Sequence, residues 1–279
     1  MHLPAGLWKR QALRWLDKGK SSIRAWKRTL LPAPSKRKIN NKKSKVNDLK
    51  KYKYQLHAHT SPCSYCSQLS PEELIDSLYE GGYQGVVITN HFFGGNTGID
   101  RNLSWADFIQ AYVDDYERLK KQAALYGMDV IFSVEEGFPT ALEMLCYGVT
   151  PQLLLDHPEM KGASPKKWHD FLAANGCIAI QPHPYRRRDY IPHPEVLDLE
   201  CIDGIEIYNY CNYEEDDRRA IDFCARHEGL ILTSGGDCHN KRAVPFCGIE
   251  VTERILNEKD LVRVLREGLY TLIKPPVFD

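Results

Sequence analysis

From Lys51 onward, short apolar runs alternate with helical patterns, and this alternation limits the possible folds more than any other feature of the chain. "YQLHAH" is followed by "SPEELIDSLYEGGY" and then by "GVVITNH". "SWADFIQAYVDDYERLKKQAALYG" leads into "MDVIFSVEE". Further strand candidates are "MLCYGV", "CIAIQPH", "GIEIYN" and "GLILTSGGD", with "PKKWHDFLAANG" and "EEDDRRAIDFCARHEG" as helices between the later ones. Strand and helix in regular succession predict a parallel α/β architecture. About seven strands in roughly 225 residues suit a barrel better than a small open sheet. The helix ends carry their own signals. Ser70-Pro71-Glu72-Glu73 offers an N-cap, a proline at the first helical position and acids in the first turn. Ser104 with Asp107 resembles a capping box. Gly127, Gly176 and Gly229 stand where helices should stop.

The first 50 residues differ from the rest. Residues 1–53 hold 17 Lys/Arg and 2 Asp/Glu, so the formal net charge of zero conceals a basic extension and an acidic body. Trp8, Ala12, Trp15, Leu16, Ile23, Trp26 and Leu30 recur at helical spacing among lysines and arginines, the pattern of a helix lying on an anionic membrane surface or an acidic partner. The polar, cationic stretch that follows reads as a solvated linker able to touch nucleic acid through phosphates. The division expected is therefore 1–50 as an extension and 51–279 as the folded body. The first residues lack the apolar core of a signal peptide, and the nine cysteines are scattered; both predict reduced thiols and a cytoplasmic protein, with peripheral membrane contact through the basic helix.

The chemistry lies at the strand ends. The first strand ends in His57-Ala58-His59, the second in His91, the third in Glu135-Glu136, the fifth in His183 and the last in Asp237-Cys238-His239. Residues i and i+2 of a strand share a face. In a parallel barrel all such ends lie on one rim, so side chains more than 180 positions apart converge. Imidazoles and carboxylates gathered so closely require a cation. His157 and His193, on loops, are further candidates to approach the rim.

These residues resemble the PHP (polymerase and histidinol phosphatase) superfamily of metal-dependent phosphoesterases over most of residues 52–275. The family's His-x-His-Thr opening is "HAHT", its Thr-Asp-His is "TNH" at 89–91, its third-strand Glu motif is "SVE" at 133–135, its His-Pro is "HP" at 183–184, and its closing motif is "GGDCH" at 235–239. The resemblance implies a distorted seven-stranded (β/α) TIM-like barrel with metal ions on its C-terminal rim. Carried over position by position, it implies His57, His59, His91, Glu135, His183, Asp237 and His239 as ligands. Glu135 is preferred to Glu136 because it matches the motif and follows Ser133 and Ile131 on one strand face, and in the family this glutamate bridges two ions. The chain departs from the pattern in three places. Asn90 replaces an Asp and weakens the support expected for His91. "SPCSYCS" stands where many members carry another His or Asp, which leaves Cys63 or Cys66 as a soft ligand or the position empty. No His follows the fourth strand, at "MLCYG". Cys238 is expected to point away from the ions.

Nitrogen and carboxylate donors suit Zn²⁺, Mn²⁺ or Fe²⁺ better than Mg²⁺ or Ca²⁺. The cofactor expected is two such ions, with a third position open. Two ions of this kind activate a water and clamp a phosphoryl group. The expected activity is hydrolysis of a small phosphate monoester, with Asp237 and His239 at the reacting centre. Arg186, from the Arg186-Arg187-Arg188 run, serves as anion clamp. Lys241-Arg242 is a second basic pair, and Tyr208 and Asn209 are pocket candidates. Two alternatives remain: a nuclease or nucleotide phosphodiesterase using the same ions with the basic tail on the polynucleotide, and a non-catalytic domain that binds metal or a partner.

Overall fold

A computed structural model describes residues 50–276. The expected amphipathic helix and basic linker lie outside the described residues. Ten strands and six α-helices occur among the described ones. β1 (Tyr52–Ala58), β2 (Gly85–Ile88) and β3 (Asp129–Phe132) run parallel, linked by α1 (Pro71–Glu80) and α2 (Trp105–Ala124). β9 (Gly248–Val251) pairs antiparallel with β1 and β10 (Tyr270–Ile273) antiparallel with β9, giving a five-stranded sheet of order β10-β9-β1-β2-β3. The second sheet runs β4 (Glu135–Gly137), β5 (Glu143–Tyr147), β6 (Ile178–Gln181), β7 (Gly204–Asn209), β8 (Ile231–Gly235). β6, β7 and β8 are parallel, while β5 is antiparallel to both β4 and β6. α3 (Pro151–Leu155), α4 (Pro165–Ala174) and α5 (Glu214–Cys224) cover this part, and α6 (Glu258–Arg266) connects β9 to β10.

The closed seven-stranded parallel barrel expected from the sequence is thus corrected to two five-stranded mixed sheets. Two local causes account for most of the difference. Only residues 138–142 separate β4 from β5. A parallel crossover needs a dozen residues or more, so the chain makes a hairpin, with Ala141 at φ 62° in its turn. "MDVIFSVEE" is also not one strand. Ser133 and Val134 carry the chain from one sheet to the other, held by Ser133 Oγ donating to Cys146 O at 3.0 Å and Cys146 N donating to Val134 O at 3.0 Å. Ile131 and Glu135 therefore belong to different sheets, and the shared strand face assumed for them does not exist.

Isolated backbone bridges connect the sheets, Ala58 with Cys238 and His91 with Glu135. Between them lies a common apolar interior. Tyr54, Leu56, Val87 and Ile131 from one sheet pack with Leu145, Tyr147, Ile178 and Ile180 from the other, all essentially fully buried. Each such side chain contributes about 1.5–3 kcal/mol of burial. The Tyr147 hydroxyl donates across the interior to Leu56 O at 2.9 Å.

The helix signals act as read. Ser70 and Glu73 form a reciprocal capping box on α1. Ser104 Oγ accepts from Asp107 N and donates to its carboxylate at 2.6 Å. Gly127, Gly176 and Gly229 follow helices in left-handed conformations. No helix among the described residues is long and apolar enough to cross a membrane.

Candidate metal centre

β1, β2, β6 and β8 all run toward one end of the molecule, and the segments leaving them bring the strand-end residues together. Glu135, the first residue of β4, sits at the middle. Its Oε1 is 3.2 Å from His57 Nε2 and 3.3 Å from His183 Nε2, while its Oε2 is 2.8 Å from His91 Nδ1 and 3.5 Å from His59 Nε2. Asp237 Oδ1 lies 3.2 Å from His59 Nε2, 3.2 Å from His239 Nδ1 and 3.5 Å from His57 Nε2. The His59 ring stacks on those of His239 and His91, with centroids 4.3 and 4.5 Å away. All seven ligand candidates from the sequence lie in this one cluster. His157 and His193 do not: His157 faces Glu159 at 2.7 Å, and His193 is exposed.

His57 Nε2, His59 Nε2, His91 Nδ1 and both Glu135 oxygens are buried and make no hydrogen bond. Each unsatisfied buried polar atom costs about 1–3 kcal/mol, so five in mutual contact point to a missing shared partner. Four overlapping trios each place their donor atoms within 4.8 Å of one another: His57-His59-Asp237, His57-Glu135-His183, His91-Glu135-Glu143 and His59-His91-His239. The donor set fits divalent transition-metal ions.

Two acids in this network have no counterpart in the sequence reading. Glu143 is 3.4 Å from both His91 Nδ1 and His183 Nε2. It opens β5, and because β5 runs antiparallel, its beginning rather than its end faces the site. Glu206, fully buried in mid-β7, is 3.2 Å from His57 Nδ1, so it fixes which nitrogen His57 turns toward Glu135. Its carboxylate also accepts from His183 N at 3.1 Å and Asn209 Nδ2 at 2.6 Å. In "GIEIYN" only Tyr208 and Asn209 are singled out from the sequence, and a Glu flanked by isoleucines on a buried strand was the available signal for Glu206.

The charges are unevenly balanced. Burial and the neighbouring Glu135 charge push the Glu143 carboxyl up to about 8. Burial alone would raise Glu135, but His57 and His91 outweigh it and hold it well below the usual carboxylate range. Burial opposes charge on His239 too, yet Asp237 lifts it to about 10. The metal-free cluster thus draws protons onto Glu143, His57, His91 and His239, while burial holds His59 and His183 below the usual imidazole range. His183 and Asp237 have φ of 33° and 49°, a left-handed backbone that costs non-glycine residues about 1–3 kcal/mol each and concentrates at functional sites.

Arg186 is buried in the same place. Nη1 is 2.6 Å from Asp237 Oδ2, Nη2 donates to Asn209 Oδ1 at 2.7 Å, and Nε donates to Asn212 Oδ1 at 2.9 Å. Arg187 and Arg188 turn away, to Asp216 and to Cys211 O. Lys241 pairs with Glu73 on the surface. Tyr208 lines a different cavity, beside Lys274. The Asn90 side chain bonds to Thr60, Ser64 and Asp115 rather than to the His91 ring. Its Oδ1 accepts from Thr60 N at 2.7 Å and Ser64 Oγ at 2.9 Å, and its Nδ2 donates to Asp115 at 2.9 Å. Since Ser64 Oγ is 3.1 Å from His59 Nδ1 and accepts from His91 N at 3.0 Å, the support that Asn90 gives reaches the His59 ring and the His91 backbone. Glu136 points out of the cluster and accepts from Gly94 N. Cys238 packs in the core and Cys63 is likewise buried, whereas Cys66 lines the site. The cluster opens into a cavity of about 390 Å³ walled by Cys66, Asn96, Glu143, Arg186 and Tyr190 together with His91, His183, Asp237 and His239.

Gly235, at the end of β8, lets these parts meet. A Cβ there would collide with the Glu206 carboxylate and lie 2.5 Å from His57 Cβ. Gly235→Ala is expected to cost about 1–3 kcal/mol by overpacking. By displacing Glu206 it should also weaken metal affinity roughly 10–100-fold. Thermal melts and metal titration of the variant measure the two effects; unchanged affinity would show that Glu206 does not orient His57.

No protein-family model matches the sequence, and no curated protein matches it. Solved structures do match the fold. A two-domain protein from Bacteroides vulgatus, described as containing a predicted PHP-like metal-dependent phosphoesterase, superposes with a TM-score of 0.59 at 14% identity, over 90% of this chain and 70% of that one. PsfC from Pseudomonas syringae superposes with a TM-score of 0.57 at 14% identity, over 80% and 91%. The chain shares the fold of a PHP-like protein, in line with the resemblance in its motifs.

Proposed function

We propose that this chain is a metal-dependent phosphoesterase of the PHP type that hydrolyses a small phosphate monoester. The observation that carries the reading is the placement of Glu135, whose two oxygens face different imidazoles, Oε1 toward His57 and His183 and Oε2 toward His91 and His59. A carboxylate so placed suits a bridge between two divalent ions, Zn²⁺, Mn²⁺ or Fe²⁺. Such a pair, when bound, supplies an activated water and neutralises phosphoryl charge.

The chain's own residues supply the rest. Glu135 with His57 and His183 would hold one ion and Glu135 with His91 and Glu143 the other, while His59 and Asp237 stand beside His57 as further donors. Glu206 locks His57 in place. Arg186 uses three of its five N–H donors on Asp237, Asn209 and Asn212, leaving donors for an anionic oxygen in the cavity. His239, at 21% exposure, stands beside Asp237 on the cavity wall. A cavity of 390 Å³ suits a small phosphorylated molecule.

The test is release of inorganic phosphate from a panel of small monoesters by protein loaded with Zn²⁺, Mn²⁺ or Fe²⁺, run beside single-stranded oligonucleotides. Phosphate release without oligonucleotide shortening is expected. Shortening of the oligonucleotide alone would favour the nuclease reading, and full metal occupancy with no turnover would favour a binding domain.

A further inference from the structure

His57 and His59 both turn Nε2 toward Glu135 and Asp237, yet their rings are steadied by different means. His57 Nδ1 meets the Glu206 carboxylate directly at 3.2 Å. His59 Nδ1 meets a hydroxyl, Ser64 Oγ, at 3.1 Å. A hydroxyl can donate or accept, so by itself it does not decide which nitrogen of His59 carries the proton. The bonds behind Ser64 decide it.

Ser64 Oγ accepts from His91 N at 3.0 Å and donates to Asn90 Oδ1 at 2.9 Å. Asn90 is itself held in one orientation. Its Oδ1 accepts from Thr60 N at 2.7 Å, and its Nδ2 donates to Asp115 Oδ2 and to Thr60 Oγ1, each at 2.9 Å. Thr60 Oγ1 in turn donates to Asp115 Oδ2 at 2.6 Å. Turning the Asn90 amide over would set its oxygen against the Asp115 carboxylate and its N–H groups against Thr60 N. With the Ser64 hydrogen committed to Asn90, Ser64 Oγ can only accept from His59 Nδ1.

Asp115 ends this chain of bonds. It lies on α2, one turn after Tyr112, whose hydroxyl donates to His91 O at 2.6 Å, so one face of the helix backs the site. The residue is buried, and its Oδ1 has no hydrogen-bond partner. Burial raises the carboxyl only to about 6, which leaves it ionised and acceptor-only at neutral pH. A buried carboxylate with one bare oxygen destabilises a fold, so the charge is explained by what the other oxygen holds.

Given that the cluster holds metal, we propose that Asp115 is a positioning residue: through Asn90 and Ser64 it keeps the His59 proton on Nδ1 and leaves the Nε2 lone pair free for an ion. Outer partners of ligating imidazoles are worth about 10–100-fold in metal affinity.

The tautomer is read in the metal-free full chain by long-range proton–nitrogen NMR at about pH 8, above the ordinary imidazole range. The His59 signals are assigned by their loss in His59→Gln. A His59 protonated on Nδ1 is expected. Asp115→Asn keeps the shape but removes the acceptor-only group, and should give a mixture of tautomers with Zn²⁺ affinity roughly tenfold weaker. Asn90→Asp sets a second carboxylate against Asp115 and should lower Tm. Combining the two substitutions returns a single carboxylate to the network and should restore the tautomer, the affinity and Tm together. Ser64→Ala, which cuts the relay without touching the carboxylate, should give the same mixture, and serves if Asp115→Asn does not fold. An Nε2-protonated His59 in the unaltered chain, a tautomer undisturbed by Asp115→Asn or Ser64→Ala, or a double variant no better than the single ones would overturn the assignment. Since the tautomer is read without metal or ester, an Nδ1-protonated His59 in a protein that turns over no ester sinks the phosphoesterase reading alone. Turnover with an Nε2-protonated His59 sinks this one alone.

Discussion

Glu135→Gln should lower the rate of phosphate-ester hydrolysis on the order of 10³-fold or more, because a metal's stabilisation of transition-state charge is worth several kcal/mol and each 1.36 kcal/mol is tenfold in rate. The amide is close in size, so it fills the same space and leaves the neighbouring rings packed. It removes the negative charge and one of the two donor oxygens that face His57, His183, His59 and His91. Metal analysis should show both positions beside Glu135 depleted together, as expected of a shared ligand. Glu136→Gln is the control: that side chain accepts from Gly94 N outside the cluster. Near-normal activity in Glu135→Gln, with Glu136→Gln inactive, would mean that the adjacent residue bridges.

Stripping the metal should destabilise the protein by an amount that grows with pH. At free metal about 100-fold above Kd, binding adds about 2.7 kcal/mol. That corresponds to roughly 5–11 °C in Tm at a domain of this size. In the metal-free protein, Glu136 and Glu143 are pushed up to about 8 by burial, and His239 rises to about 10 through Asp237 despite its burial. His57 and His91 are likewise raised by carboxylates that outweigh their burial. Between pH 6.5 and 8.5 these groups bind more protons folded than unfolded, so metal-free stability falls as pH rises. Cys66, lowered to about 6 by His239 and His91 against the effect of its partial enclosure, runs the other way, as do His59 and His183, which burial holds below the usual imidazole range; the raised groups outnumber them. The depressed carboxylates Glu135 and Asp237 contribute stability that is lost only below the ordinary carboxylate range, outside this window. Protons and metal compete for the same atoms, so the stabilisation by metal strengthens over the interval where the metal-free protein weakens. Melts at pH 6.5 and 8.5, with and without chelator, check this. A metal-dependent Tm shift that shrinks toward pH 8.5 would contradict it.

How much of this was legible in the sequence differed from element to element. β1, β2, β6 and β8 are parallel strands whose ends carry His57, His59, His91, His183, Asp237 and His239, and the period-two and period-3.6 patterns suffice to find such ends. Glu143 was invisible because the expectation of parallel strands directs attention to strand C-termini. The five-residue gap after Gly137 was the clue that β5 reverses. Glu206 was missed because its role depends on a neighbour, His57, brought close only by the pairing of elements distant in sequence. β9 and β10 are no shorter than β2, β3 and β6, but no candidate ligand follows them to mark their ends, and they make the first sheet mixed. α6, with Asn257 as N-cap and Leu261, Val262, Val264 and Leu265 buried, had a readable pattern that the strand-centred reading passed over. The choice among Arg186, Arg187 and Arg188 follows from Asn209, Asn212 and Asp237, which only the fold places around one of them.

The two isolated bridges between the sheets have a mechanical consequence. His59 N donates to Cys238 O at 3.1 Å and Cys238 N to His57 O at 3.2 Å; Phe92 N donates to Glu135 O at 2.7 Å and Glu135 N to Asn90 O at 3.0 Å. The seam between the halves is thus stitched by the backbone of the very residues whose side chains would grip the ions, or of their immediate neighbours. Cations seated there would act as rivets: emptying them frees the seam to breathe, and hydrogen exchange at these four amides should quicken before that of the strand interiors.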